Sequence, residues 1–233
     1  MQARKSISVL HPLTLDRLEA ALAGPGCPIC WEAERSRRHY LRSLLREHKG
    51  SEGVWASLRR NWGLCLPHTR GLLAEETRTV RGFSAATLYC WLTDALLEEA
   101  ARDGSRRRWR SRSRFRDLVE PRGGCLACRQ LGAYERAAIG GLVGTLASGE
   151  PPSVMTAYVG GPGLCLPHLR VALDLTDHPG TADLLREQVL KRLRALSDEL
   201  EVFLAAHTPG GPDQGRADFD VWLRAAEQFA GLI

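Results

Sequence analysis

The chain predicts an all-α fold, a duplicated helical repeat in which each half is stapled by a Cys3His metal site. Three observations predict it. Shifted against itself by about 100 positions, the sequence superimposes GLCLPHTRGLL (63–73) on GLCLPHLRVAL (163–173), an internal duplication. Upstream of each copy lies a Cys-x2-Cys in glycine-containing sequence, GPGCPICWEAERS (24–36) and RGGCLACRQLGAY (122–134). Each repeat thus reads Cys-x2-Cys, then 34 or 36 residues, then Cys-x2-His. Elsewhere apolar residues recur at intervals of three and four, and no run alternates apolar with polar as a half-buried strand would.

The elements follow in order. A helix over about 13–23 opens a first region, 1–104, which holds the first repeat. Residues 105–120 form an arginine-rich connection, and 121–207 hold the second repeat. In that repeat, Leu131, Tyr134, Ala138 and Leu142 give one apolar stripe. Leu185, Val189, Leu193, Leu196, Leu200 and Phe203 give another. Residues 208–233 begin as a TPGGPDQG-type linker. They end in a helix whose stripe, Phe219, Trp222, Ala226, Phe229 and Ile233, is expected to dock back on the repeats.

Composition narrows the class. At 233 residues and 44% apolar content the chain can bury a packed core. The first residues, MQARKSISVLHPLTL, carry charge and no apolar run of signal-peptide length. No stretch of about 18 apolar residues occurs anywhere, so a soluble cytoplasmic protein without membrane contact is the expectation. Six of the seven cysteines stand at metal-ligand spacing, which in a reducing compartment points to thiolates holding metal rather than to disulfides. Cys90, in the apolar stretch TLYCWLTDALL, is expected to be a buried structural thiol.

Zinc binds four soft or borderline ligands in a tetrahedron, and Cys-x2-Cys brings two sulfurs from one turn to a single point. The linear reading joins Cys27, Cys30, Cys65 and His68 in one site and Cys125, Cys128, Cys165 and His168 in the other, for two Zn2+ ions. Proline in Leu-Cys-Leu-Pro-His suits the first turn of a helix, which would start at each Cys-x2-His. Each Cys-x2-Cys likewise opens a helix, where the positive dipole end favours thiolate. Arg70 and Arg170 follow the histidines by two and are candidate outer partners for a site of net charge −1. Eight ligand-type residues in two matched copies argue against ordinary core cysteines and histidines. Iron–sulfur clusters are the alternative cofactor. Four protein ligands leave no open coordination position, so the sites read as structural.

The formal charge of +5 is local in origin. Residues 105–116 carry seven arginines and no acid, and taking those seven from +5 leaves −2 for the rest. Arg106, Arg108, Arg110, Arg112, Arg114 and Arg116 occupy every even position, with Trp109 and Phe115 between them. Extended, they would line one edge about 6.6 Å apart, a spacing suited to phosphates, with aromatics for unpaired bases. As a helix the same arginines spread around all faces and solubilise a connection, the reading preferred here. The remaining histidines and the dispersed carboxylates form no nucleophile, base or acid–base set, and no catalytic constellation is visible.

The tandem pattern CPIC with GLCLPH, then CLAC with GLCLPH, resembles a bacterial family of unknown function whose helical chains carry paired Cys-Pro-x-Cys and Gly-Leu-Cys-x-x-His modules. The resemblance spans about residues 24–204. It implies metal binding and helices and carries no activity across. Leu126 replaces the pattern's proline in the second module. The leading expectation is a zinc-stapled interaction, adaptor or regulatory protein with a protein partner. A nucleic-acid partner bound through the arginine run, and a thiolate-based redox or metal sensor, are the alternatives.

Overall fold

The computed structural model describes residues 15–46, 51–79, 82–104, 112–206 and 220–231. Among them lie eleven helices and no strand. In order they are α1 (Leu15–Leu22), α2 (Pro28–Arg46), α3 (Glu52–Arg60), α4 (Leu66–Thr79), α5 (Phe83–Gly104), α6 (Arg112–Val119), α7 (Leu126–Ser148), α8 (Pro152–Gly160), α9 (Leu166–Leu175), α10 (Pro179–Ala206) and α11 (Val221–Ala230). The duplication is visible in these bounds. Helices α2 to α5 and α7 to α10 form two four-helix series, with α2 and α7 opening at Cys-x2-Cys and α4 and α9 at Leu-Pro-His.

The chain folds into two compact units that do not coincide with the two repeats. One is built from Arg35–Ala133, the other from Pro12–Glu34 together with Tyr134–Ile233. The divisions fall inside α2 and α7, so the opening turns of these two helices are exchanged between the units. This departs from the linear division into a first repeat over 1–104 and a second over 121–207, and it decides how the metal ligands pair.

The discontinuous unit is cored by Leu18 and Leu22 of α1, Ile29 of α2, Ile139 and Leu142 of α7, Val154 and Tyr158 of α8, Leu164, and Leu185 and Val189 of α10. Of the stripes read in the sequence, Tyr134, Ala138 and Leu142 on α7 and Leu185, Val189 and Leu196 on α10 are buried, while Leu131, Leu193, Leu200 and Phe203 are only partly so. On α10 the buried Gln188 shares its two amide hydrogens among the carbonyls of Tyr158, Val159 and Gly161, tying α10 to the end of α8 just before the Gly-Leu-Cys turn. The continuous unit is cored by Leu41 and Leu44 of α2, Val54 and Leu58 of α3, Leu72 of α4, and Leu88 and Leu92 of α5. Trp55 and Trp91 pack with tilted rings, 4.5 Å between centroids and 54° between planes, and Arg59 pairs with Glu99, tying α3 to α5.

Two side-chain expectations are corrected. Cys90 is exposed, not buried, because the inward stripe of α5 runs through Ala85, Leu88, Leu92 and Ala95, and position 90 lies about 200° around from Leu88. Helix α11 does not dock through its aromatics. Trp222 and Phe229 are 53% and 63% exposed, while Val221 and Gln228 face inward. Polar anchors set that rotation: Gln228 Nε2 donates to the Leu164 carbonyl at 2.9 Å, and Arg224 pairs with Glu199 of α10 at 2.6 Å. Phe219 and Ile233 lie outside the described residues.

Candidate metal centres

All eight predicted ligands converge, but crosswise. In the discontinuous unit Cys27, Cys30, Cys165 and His168 meet, and in the continuous unit Cys65, His68, Cys125 and Cys128 meet. Each site thus takes its Cys-x2-Cys from one repeat and its Cys-x2-His from the other, which corrects the linear pairing. Two helices, α2 of 19 residues and α3 of nine, separate Cys30 from Cys65. In the second repeat α7 is longer still, at 23 residues, against nine in α8.

The local geometry is the same at all four ligand pairs. The first ligand sits immediately before a helix and its carbonyl accepts the first helical hydrogen bond: from Trp31 to Cys27, Thr69 to Cys65, Arg129 to Cys125 and Leu169 to Cys165. The second ligand lies three residues on, in the first turn. Two helix N-termini therefore point at each site, α2 and α9 in one, α4 and α7 in the other, and their free N–H groups and positive dipole ends favour thiolate. The glycine of Gly-Leu-Cys is what turns the chain into that position. Gly63 and Gly163 both have positive φ, 112° and 72°, which side-chain-bearing residues rarely adopt.

Distances suit one ion per site. The Nδ1 of His168 lies 3.1 Å from the Sγ of Cys165 and 3.4 Å from those of Cys27 and Cys30, and Cys30 and Cys165 are 3.7 Å apart. The other site repeats these values: His68 Nδ1 is 3.1 Å from Cys65, 3.4 Å from Cys128 and 3.7 Å from Cys125, with Cys65 and Cys128 3.6 Å apart. A tetrahedral ion with metal–sulfur bonds of 2.3 Å places its sulfurs about 3.8 Å apart. Protonation behaviour points the same way. With no cation among them the sulfurs cannot all ionise: burial and hydrogen bonds to Cys65 and Cys125 push Cys128 up to about 12, while Cys27 is driven well below the ordinary thiol value, against the effect of burial, by hydrogen bonds from Cys165, Cys30 and His168. Burial opposes the imidazolium of His168, yet hydrogen bonds with Cys27, Cys30 and Glu135 raise it to about 12. A divalent ion bound there would take the place of those shared protons. Each group is able to hold one metal ion, and none of the seven cysteines is in a disulfide.

The outer partners differ from those expected. Arg70 and Arg170 are exposed and make no hydrogen bond or ion pair to a ligand among the described residues. Two residues beyond the histidine on a helix, they lie about 200° around, away from the site. The partner is Glu135 of α7, whose Oε1 lies 2.6 Å from His168 Nε2 and fixes Nδ1 as the ligand nitrogen. Its signal in the sequence was only its place about two turns past the Cys-x2-Cys on the same helix. In the other unit the cation near His68 is Arg37, which reinforces burial in holding that imidazole below its usual value. Exchanging Glu135 for alanine is expected to weaken the Cys27/Cys30/Cys165/His168 centre about 10–100-fold in metal affinity, read by chelator competition, and to leave the other centre unchanged.

No described residue of the arginine run is among the metal-ligand groups. Arg112, Arg114 and Arg116 lie in helix α6, so the extended, one-edged arrangement does not form there. Arg106, Arg108, Trp109 and Arg110 lie outside the described residues, as do the side chains of Arg112, Arg114 and Phe115. No helix among the described residues is long and apolar enough to cross a membrane. No protein-family model, curated protein or solved structure matches the chain.

Proposed function

We propose that the chain is a cytoplasmic zinc-stapled helical protein, with two structural Zn2+ ions, that presents its helical surface to a protein partner as an adaptor or regulator. The observation that carries this reading is the pair of Cys3His groups whose four ligand atoms each lie within 4.8 Å of one another. Such a set closes a tetrahedron without leaving a position for water or substrate. Three thiolates and an imidazole favour zinc among divalent ions of ordinary availability, and convergence of four ligands on one point favours a single ion over a cluster that spreads its cysteines across several irons. Each ion ties together helix openings far apart in sequence, so its binding free energy counts toward the fold.

The test is metal content and optical spectrum on full-length protein purified anaerobically without added metal, followed by chelation. Two zinc ions per chain with no visible absorption are expected. Chelation is expected to lower the far-UV helical signal, and restoring zinc to recover it. Iron with sulfide-type absorption, or a full helical signal without metal, overturns the reading.

A further inference from the structure

The two centres share ligand chemistry and distances but not their cover. In the discontinuous unit Cys30, Cys165 and His168 are buried and Cys27 partly so. Helix α11 closes over it. Gln228 holds the carbonyl of Leu164, next to Cys165, and the chain then passes so near the sulfurs that a Cβ on Gly231 would stand 3.5 Å from Cys30 Sγ and 3.9 Å from Cys165 Sγ. Gly231 is itself buried, with φ at 85°, so a bare backbone seals the centre. His168 is held from behind by Glu135. In the continuous unit Cys65, His68 and Cys125 are only partly buried and Cys128 is exposed. None of the hydrogen bonds of His68 among the described residues reaches a carboxylate.

Equal ligand sets give comparable bonding to an ion, whereas exchange of that ion depends on access by an incoming ligand. We propose that the Cys65/His68/Cys125/Cys128 centre is an exchangeable site that hands its ion to a thiol-bearing acceptor by way of Cys128, while the Cys27/Cys30/Cys165/His168 centre keeps its ion. This rests on the zinc reading above. In the first exchange, the bond from the ion to the acceptor sulfur forms and the bond to Cys128 Sγ breaks. The bonds to Cys65 Sγ, Cys125 Sγ and His68 Nδ1 then break in turn as further acceptor ligands replace them, each leaving thiolate taking the proton of the thiol that displaces it. No electrons are exchanged.

The experiment uses the full chain carrying Cys90→Ser, which removes the other exposed thiol, with zinc counted first. Release to 4-(2-pyridylazo)resorcinol in the presence of glutathione is expected in two phases of one ion each, the faster at least about tenfold faster. Cys128→Ser is expected to lose the fast phase and keep the slow one, and Cys165→Ser the reverse. On zinc-loaded protein N-ethylmaleimide is expected to mark Cys128 before Cys27, Cys30 or Cys165, a readout that needs no ligand variant to fold. Two ions leaving in one phase, or a first mark on Cys27, Cys30 or Cys165, overturns the inference and leaves the zinc reading standing. A first count of no zinc overturns both.

Discussion

Replacing Cys27 and Cys165 together by serine is expected to cost the chain one metal ion, whereas replacing Cys27 and Cys65 together costs it both. The crosswise assembly dictates this. Cys27 and Cys165 belong to one centre, so the double change damages a centre already lost and leaves Cys65/His68/Cys125/Cys128 whole. Cys27 and Cys65 belong to different centres, so each change disables its own. Linear pairing along the chain demands the opposite assignment, so metal content after dialysis against a moderate chelator separates the two. Structural zinc sites of this type are worth about 10–16 kcal/mol of apparent binding free energy, comparable with the whole stability of a domain. The helical signal is therefore expected to fall in part for Cys27→Ser with Cys165→Ser and far more for Cys27→Ser with Cys65→Ser. If both doubles retain the same metal, the crosswise pairing is wrong.

Much of this is legible in the sequence, and the limit has a physical cause. Helices announce themselves through local spacing, so the α7 and α10 stripes and the openings at Cys27, Cys65, Cys125 and Cys165 could be read residue by residue. All eight ligands were legible because coordination chemistry restricts both residue type and spacing. Which pair meets which was not, because pairing depends on how helices far apart in sequence pack together, and local spacing does not encode that. Glu135 stayed hidden for the same reason, since its partner His168 is 33 residues away. Helix α11 misled because its largest apolar residues suggested the docking face, while Gln228 and Arg224 found partners in Leu164 and Glu199 and turned Trp222 and Phe229 outward.

Glu32, one of the dispersed carboxylates, is the most deeply buried acid among the described residues, at 1% exposure. It stands two residues past Cys30 on α2, is paired with Arg17 of α1, and accepts the hydroxyl of Tyr134 of α7 at 2.5 Å. The network ties three helices together directly behind a metal ligand. Taking away one member of a buried ion pair leaves the other charged without compensation, at about 3–5 kcal/mol. Arg17 keeps 22% of its side chain exposed, so Arg17→Met is expected near the lower end of that range, measured by urea unfolding of the zinc-loaded protein. Tyr134→Phe removes one hydrogen bond to a charged group and is expected to cost about 1.5–3 kcal/mol. The informative variant combines Arg17→Met with Glu32→Leu. Removing both charges lets apolar packing replace them, so the double change is expected to be more stable than Arg17→Met alone. A double variant no better than the single one would mean that Glu32 holds α2 in place for the Cys27–Cys30 turn through its hydrogen bonds rather than through its charge. Zinc retention by Glu32→Gln, which keeps the acceptor and drops the charge, then reads that alternative directly.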